Sequence, residues 1–246
     1  MSELVLNRTV VVAQQFRGPP NSGNGGYVCG LMAREFPGVS TALLRAPPPL
    51  DTPLELVRED GVVRLLGEGG LVIGEARDGG AETLTAPPAS PGLAAATAAA
   101  RRFPGLDRPF HPVCFTCGDR LDEGYGLRVF TGQVEGMAEG VVAGPWTVHP
   151  NFADAEGLAP PEVVWAALDC PGSVSWVVSG AGGGLLGTMT CEILRRPAAG
   201  ETTIVVAWPL ERSGRKLISG TALYSEAGEL MARSHQIWIG RPPVAE

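Results

Sequence analysis

The chain repeats itself. Leu44-Arg45-Ala46-Pro47 is matched by Leu194-Arg195-Arg196-Pro197, and in the same register Asp51-Thr52-Pro53-Leu54 is matched by Glu201-Thr202-Thr203-Ile204. Upstream of each match lies a short helix-like segment, Gly25–Phe36 in one half and Pro161–Cys170 in the other. Internal similarity on this scale constrains the fold more than composition does, because each copy must form the same unit and the two must share a core. The two segments differ where chemistry would sit. The first opens on Asn24-Gly25-Gly26, and the second opens on Pro160-Pro161 and ends at Asp169.

Each half reads as a strand, a helix and then about four strands. In the first, Thr9–Gln15 is an apolar strand, Gly25–Phe36 a helix stopped by Pro37-Gly38, and Val39–Leu44, Leu54–Val57, Val62–Leu66 and Leu71–Ala76 are strands. Asp60-Gly61 and Gly69-Gly70 mark the turns between the last three. In the second, Gly126–Val134 and Met137–Val142 read as a hairpin. Pro161–Cys170 is a helix with proline in its first turn, where no N–H is missed; Pro171-Gly172 either ends it or kinks it, and in the second case Val174–Val178 continues its apolar face. Strands follow at Met189–Leu194, Thr202–Trp208, Lys216–Tyr224 and Leu230–Ile239. The expected division is residues 1–80 as the first repeat, 81–112 as a linker with a surface helix at Leu93–Arg102, and 113–246 as the second repeat. One short helix cannot cover a long sheet, so two such units should merge sheets and bury both helices together. The expected class is therefore α+β.

Two motifs carry candidate chemistry. Asn24-Gly25-Gly26-Tyr27 opens the first helix. A helix start leaves N–H groups unpaired and carries partial positive charge, and glycine lets a substrate carbonyl approach closely. Such donors form an oxyanion hole, each worth about 3 kcal/mol in a transition state. The plain alternative is Asn24 as an N-cap followed by a tight glycine turn. Asp169 closes the apolar run Val163-Val164-Trp165-Ala166-Ala167-Leu168. A carboxylate there is either buried, with its pKa raised toward the range of a general base, or exposed near a helix end.

The arrangement resembles the hotdog fold in its double form, and the two motifs resemble those of double-hotdog acyl-CoA thioesterases. There a polar residue and a glycine pair start the buried helix of one repeat, and an acid following an Ala/Leu-rich stretch acts as base or nucleophile. The resemblance covers most of the chain. It implies two tandem hotdog repeats and hydrolysis of acyl thioesters, on CoA or on a carrier protein. Asn24 and Asp169 would be catalytic, Gly25, Gly26 and Tyr27 would line the oxyanion and substrate site, and Trp165 would wall the acyl pocket. It implies no cofactor and no metal. It also makes a homodimer the expected assembly.

Geometry ties the motifs together. Asp169 lies roughly 12 Å along its helix from Pro161, so it cannot serve a carbonyl held at that helix's own start. Antiparallel helices would bring Asn24, Gly25 and Gly26 to Asp169. The reverse pairing is poor, because two prolines remove donors and Ala33-Arg34 stands where an acid is needed. One composite site per chain is expected. Rival readings are a non-catalytic acyl-binding or scaffold protein, and a hydratase or dehydratase. The latter would need a His beside the acid, and none neighbours Asn24 or Asp169 in sequence.

The segment Cys114-Phe115-Thr116-Cys117-Gly118 forms His-x2-Cys-x2-Cys with His111. With no second Cys/His pair of suitable spacing, it reads as a structural lead-in of the kind that precedes the first strand of many hotdog proteins, and metal and redox readings rank behind. A net charge of −7 and a pI near 5.1 argue against nucleic acid or an anionic membrane surface as partner. No run approaches the about 18 apolar residues of a membrane span. Met1-Ser2-Glu3-Leu4 lacks the basic-then-apolar pattern of a secretion signal, and five cysteines are an odd number for a disulfide framework. The expected location is the cytoplasm.

Overall fold

The structure, a computed structural model, describes residues 7–240, so the Met1–Leu4 stretch read above lies outside the described residues. Its strands are β1 (Asn7–Val11), β2 (Ser40–Leu44), β3 (Pro53–Glu59), β4 (Val62–Leu66), β5 (Val72–Asp78), β6 (Gly132–Gln133), β7 (Val142–Thr147), β8 (Gly184–Ile193), β9 (Thr202–Ser213), β10 (Lys216–Ser225) and β11 (Leu230–Gly240). They form one sheet in the order β1-β3-β4-β5-β2-β8-β11-β10-β9-β7-β6. Read outward from the β2–β8 seam, the two sides are mirror copies: β5 matches β11, β4 matches β10, β3 matches β9 and β1 matches β7. Every pairing is antiparallel.

The repeated sequence pattern falls on equivalent places in these copies to within one residue, Arg45 standing where Leu194 stands. As the chain leaves β2, the amides of Arg45 and Ala46 both donate to the Ile73 carbonyl. As it leaves β8, the amides of Leu194 and Arg195 both donate to the Met231 carbonyl. The seam itself pairs Thr41 with Thr190, whose hydroxyls lie 2.8 Å apart.

The helices α1 (Gly25–Ala33) and α3 (Pro161–Val178) lie inside the curve of the sheet. In α1 every residue from Gly26 to Ala33 is buried, as expected of a helix that is apolar all round. A single core joins the halves: Leu54, Leu56, Val63 and Leu65 from the first side meet Val205, Leu217, Leu223 and Met231 from the second around the two helices. The third helix, α2 (Leu93–Ala100), lies on the opposite face. The alternation of β9 shows this directly, since Val205 belongs to the helix-side core while Ile204 and Val206 pack with Ala96 and Ala99. The helix expected on the surface thus has a buried alanine edge.

Three expectations need correction. Of the two alternatives at Pro171 the helix takes the longer, so the Cys170 bound is corrected: α3 runs through Pro171 to Val178. Pro171 removes an N–H from the ladder, but side chains from the sheet and from the helix's next turn brace the backbone on either side. Gln236 Nε2 donates to the Leu168 carbonyl (2.7 Å), and Ser219 Oγ and Ser175 Oγ both donate to the Gly172 carbonyl (2.8 Å each). The expected hairpin of Gly126–Val134 and Met137–Val142 is also displaced, to β6 and β7. Arg128 sits at φ 56°, a left-handed conformation that cannot continue a strand. The first strand ends at Val11 rather than Gln15, because Gln14–Phe16 turns into a single 3-10 loop.

Candidate active site between the two central helices

Asn24 sits in extended backbone before α1, and its Oδ1 accepts the Tyr27 amide at 2.9 Å. This is a standard N-cap, and it uses the Tyr27 N–H. The other end of the side chain is also held. Asn24 Nδ2 donates to Thr116 Oγ1 (3.2 Å), and Thr116 Oγ1 donates onward to the Ala166 carbonyl on α3 (2.7 Å). Thr116 therefore ties the start of α1 to the middle of α3. The sequence gives no sign of this role, since Thr116 stands there only as one of two residues between Cys114 and Cys117.

The helices cross antiparallel. A Cβ on Gly26 would lie 2.6 Å from both the Asp169 Cβ and the Trp165 carbonyl, and a Cβ on Gly30 would lie 2.5 Å from the Glu162 Cα. Moving up α1 from Gly26 to Gly30 thus moves down α3 from Asp169 to Glu162. Asn24, Gly25 and Gly26 meet Asp169 at one crossing, the convergence expected from the sequence. Gly25 faces Leu186 of β8 and Leu44 of β2. Trp165 is buried with its backbone and Cβ against α1. Tyr27 turns away into an aromatic cluster, stacked on Phe16 at 4.1 Å and edge-on to Phe115 at 5.8 Å.

Asp169 is 3% exposed and Asn24 is 1% exposed. Asp169 Oδ1 is buried without a hydrogen-bond partner. Burial pushes the Asp169 carboxyl up from 3.8 to about 7, with the Cys114 sulfur adding to the rise; polar contact from the Gly26 amide and the Asn24 side chain opposes it. An apolar site that penalises the charged form is the physical cause. The equivalent crossing at the other end is built differently. There Arg34 and Glu162 form an ion pair at 3.0 Å, where the first crossing has a cap, two glycines and a lone acid.

Neither His149 nor His235 hydrogen-bonds to Asn24 or Asp169. His235 alternates with the inward-facing Gln236 and lines a groove of 330 Å³ on the opposite face of the sheet, with Thr41, Arg77 and Thr190. His149 Nδ1 accepts the Asn151 amide and caps the turn at 150–152.

Replacing Thr116 with valine, which has nearly the same shape, leaves Asn24 Nδ2 and the Ala166 carbonyl without their bridge. The expected loss is about 1–3 kcal/mol, the cost of stranding buried polar groups. Urea unfolding of the variant would measure it, and an unchanged midpoint would mean the bridge carries no stability.

No family model and no curated protein sequence matches the chain. Solved structures do. The tesB protein of Mycobacterium avium subs paratuberculosis is similar with a TM-score of 0.63 at 12% identity, over 96% of this chain and 93% of that one. A candidate thioesterase from Novosphingobium aromaticivorans aligns at TM-score 0.61 and 14% identity, over 96% of this chain and 95% of its own. A conserved hotdog-fold protein of unknown function from Alicyclobacillus acidocaldarius aligns at 0.62 and 15%, over 97% and 94%. At these identities the likeness is one of fold: an α+β double hotdog spanning the whole chain.

Proposed function

We propose that this protein hydrolyses acyl thioesters at one composite site per chain, where the start of α1 meets Asp169. The observation that carries the reading is the pairing of a buried carboxyl, one oxygen of which has no hydrogen-bond partner, with a glycine helix start contributed by the other repeat. In this reading the substrate carbonyl oxygen lies at the Gly25 and Gly26 amides, the Gly26 amide turning to it from the Asp169 carboxyl that it contacts in this structure. Asp169 takes a proton from water, the water oxygen bonds to the carbonyl carbon, and the amides hold the resulting oxyanion. Collapse breaks the C–S bond, and the leaving thiolate recovers the proton from Asp169. Direct attack by the carboxylate, through an anhydride that water then opens, uses the same groups. Asn24 fixes the helix start through its cap, Tyr27 supports it from the aromatic cluster, and Trp165 walls the acyl side.

The likeness in fold to a candidate thioesterase and to a tesB protein supports this class of reaction, for which we propose acyl-CoA or an acyl carrier as substrate. The same reading divides the chain at 1–80 and 113–246 with 81–112 as connector. It has the chain working as a homodimer in the cytoplasm, where thiols stay reduced. Cys29, Cys114, Cys117, Cys170 and Cys191 are all free, which fits such a compartment. Among the described residues no helix is long and apolar enough to cross a membrane. A second reading, an acyl-binding protein without turnover, draws on the sealing of Asp169 and Asn24, since a thioester reaches them only after neighbouring side chains part. A panel of acyl-CoAs followed by free-thiol release separates the two. Turnover on any member supports hydrolysis, whereas binding to the panel without thiol release favours the binder.

A further inference from the structure

The Cys114–Cys117 turn has a partner that its sequence spacing conceals. Cys170 comes from α3, and the three Sγ atoms lie within 4.8 Å of one another, with Cys114 and Cys170 at 3.5 Å. Cys114 and Cys117 are buried and Cys170 is partly so. The turn that presents the first two sulfurs is rigid. The Gly118 amide donates to the Cys114 carbonyl at 2.7 Å, and a Cβ on Gly118 would lie 2.6 Å from that oxygen, so only glycine closes it. Donors converge on the Cys114 sulfur as they would on a thiolate: the amides of Thr116 and Cys117, and Asn24 Nδ2 at 3.8 Å.

We propose that Cys114, Cys117 and Cys170 form a three-thiolate site for Zn(II), with the fourth coordination position open. Three sulfurs at the Zn–S distance of about 2.3 Å from a common ion stand about 4 Å apart, which fits the observed cluster. A disulfide would use two of the sulfurs and leave the third unexplained. The charge balance selects a divalent ion among thiophilic metals: three thiolates and Zn(II) bury a net −1, while a monovalent Cu(I) would leave −2 beside Asp169. Binding displaces the three thiol protons to solvent, with no change of oxidation state. Donors to Cys114 come from Asn24 and Thr116, so the ion would also fix the polar bridge between α1 and α3. The proposal does not depend on the thioesterase reading.

The test uses the full chain, reduced with a thiol-free reductant and stripped of metal. Cd(II) titration should give a thiolate-to-metal charge-transfer band that saturates at one ion per chain. Zn(II) affinity, measured against a chromophoric chelator, should fall about tenfold or more in Cys170→Ser. Cys191→Ser, a buried cysteine outside the cluster, should bind as the unaltered chain does. X-ray absorption on the Zn(II)-loaded unaltered chain should show three sulfur neighbours at about 2.3 Å; this decides the matter even if Cys170→Ser fails to fold. No charge-transfer band, equal affinity in a folded Cys170→Ser, or fewer than three sulfur neighbours would overturn the proposal.

Discussion

Asp169→Asn is expected to slow thiol release by orders of magnitude and, at neutral pH, to make the fold more stable. The two effects share one cause. Burial raises the Asp169 carboxyl from 3.8 to about 7, so between those values the folded chain holds a proton that the unfolded chain releases. Stability from this group is fully present below the unfolded pKa and is lost as pH rises through the folded one. A rise of that size corresponds to about 4 kcal/mol, an upper bound on what the unaltered chain gives up by about pH 8. Asparagine has nearly the same shape and no charge to bury, so its stability should be much flatter across the window. Urea unfolding at about pH 5 and about pH 8, on reduced chain with chelator present, measures the difference. Loss of the base should cost roughly 10²–10⁴-fold in turnover. If the variant keeps its turnover, Asp169 is not the base. If both chains lose the same stability with rising pH, the carboxyl is not buried as described.

Much of this architecture could be read in the sequence because the repeat is local. The Leu44–Pro47 and Leu194–Pro197 segments leave matching strands, where Arg45 and Ala46 in one copy and Leu194 and Arg195 in the other make the same pair of hydrogen bonds, so a short motif marked the two copies to within one residue. The meeting of Asn24–Gly26 with Asp169 followed from element chemistry: prolines at one helix start and glycines at the other leave one sensible pairing. What escaped the reading depends on contacts distant in sequence. Pro171 reads as either a helix end or a kink, and what decides it lies far along the chain, where Gln236 and Ser219 take up the carbonyls of Leu168 and Gly172 beside it. Cys170 reads as an isolated thiol until α3 sets it beside the Cys114 turn. Thr116 has no motif at all; its role exists only because Asn24 and Ala166 converge on it. The Arg128 conformation, which breaks the expected hairpin, has no glycine or asparagine to announce it.

Alanine at Gly26 or Gly30 should destabilise the protein, although helix propensity alone predicts the reverse. Both residues are inside α1, where Gly→Ala ordinarily gains about 1 kcal/mol. Here the added methyl group has nowhere to go. At Gly26 it meets the Trp165 carbonyl and the Asp169 Cβ at 2.6 Å, and at Gly30 it meets the Glu162 Cα at 2.5 Å. These are backbone and Cβ atoms, which cannot swing aside as the end of a long side chain would. Relief requires α1 and α3 to separate, and overpacking of this kind costs about 1–3 kcal/mol or more, enough to outweigh the propensity gain. The double variant should cost less than the sum, because helices already forced apart by one methyl accept the second more cheaply. The two positions should differ in activity. Gly26→Ala displaces Asp169 itself and should remove most thiol release, while Gly30→Ala acts at the Arg34–Glu162 end and should retain more turnover for a similar loss of stability. Urea midpoints and thiol release, measured on both single variants, resolve the two effects. A stabilising Gly26→Ala would show that the helices do not meet at this crossing, and the composite site would fall with it.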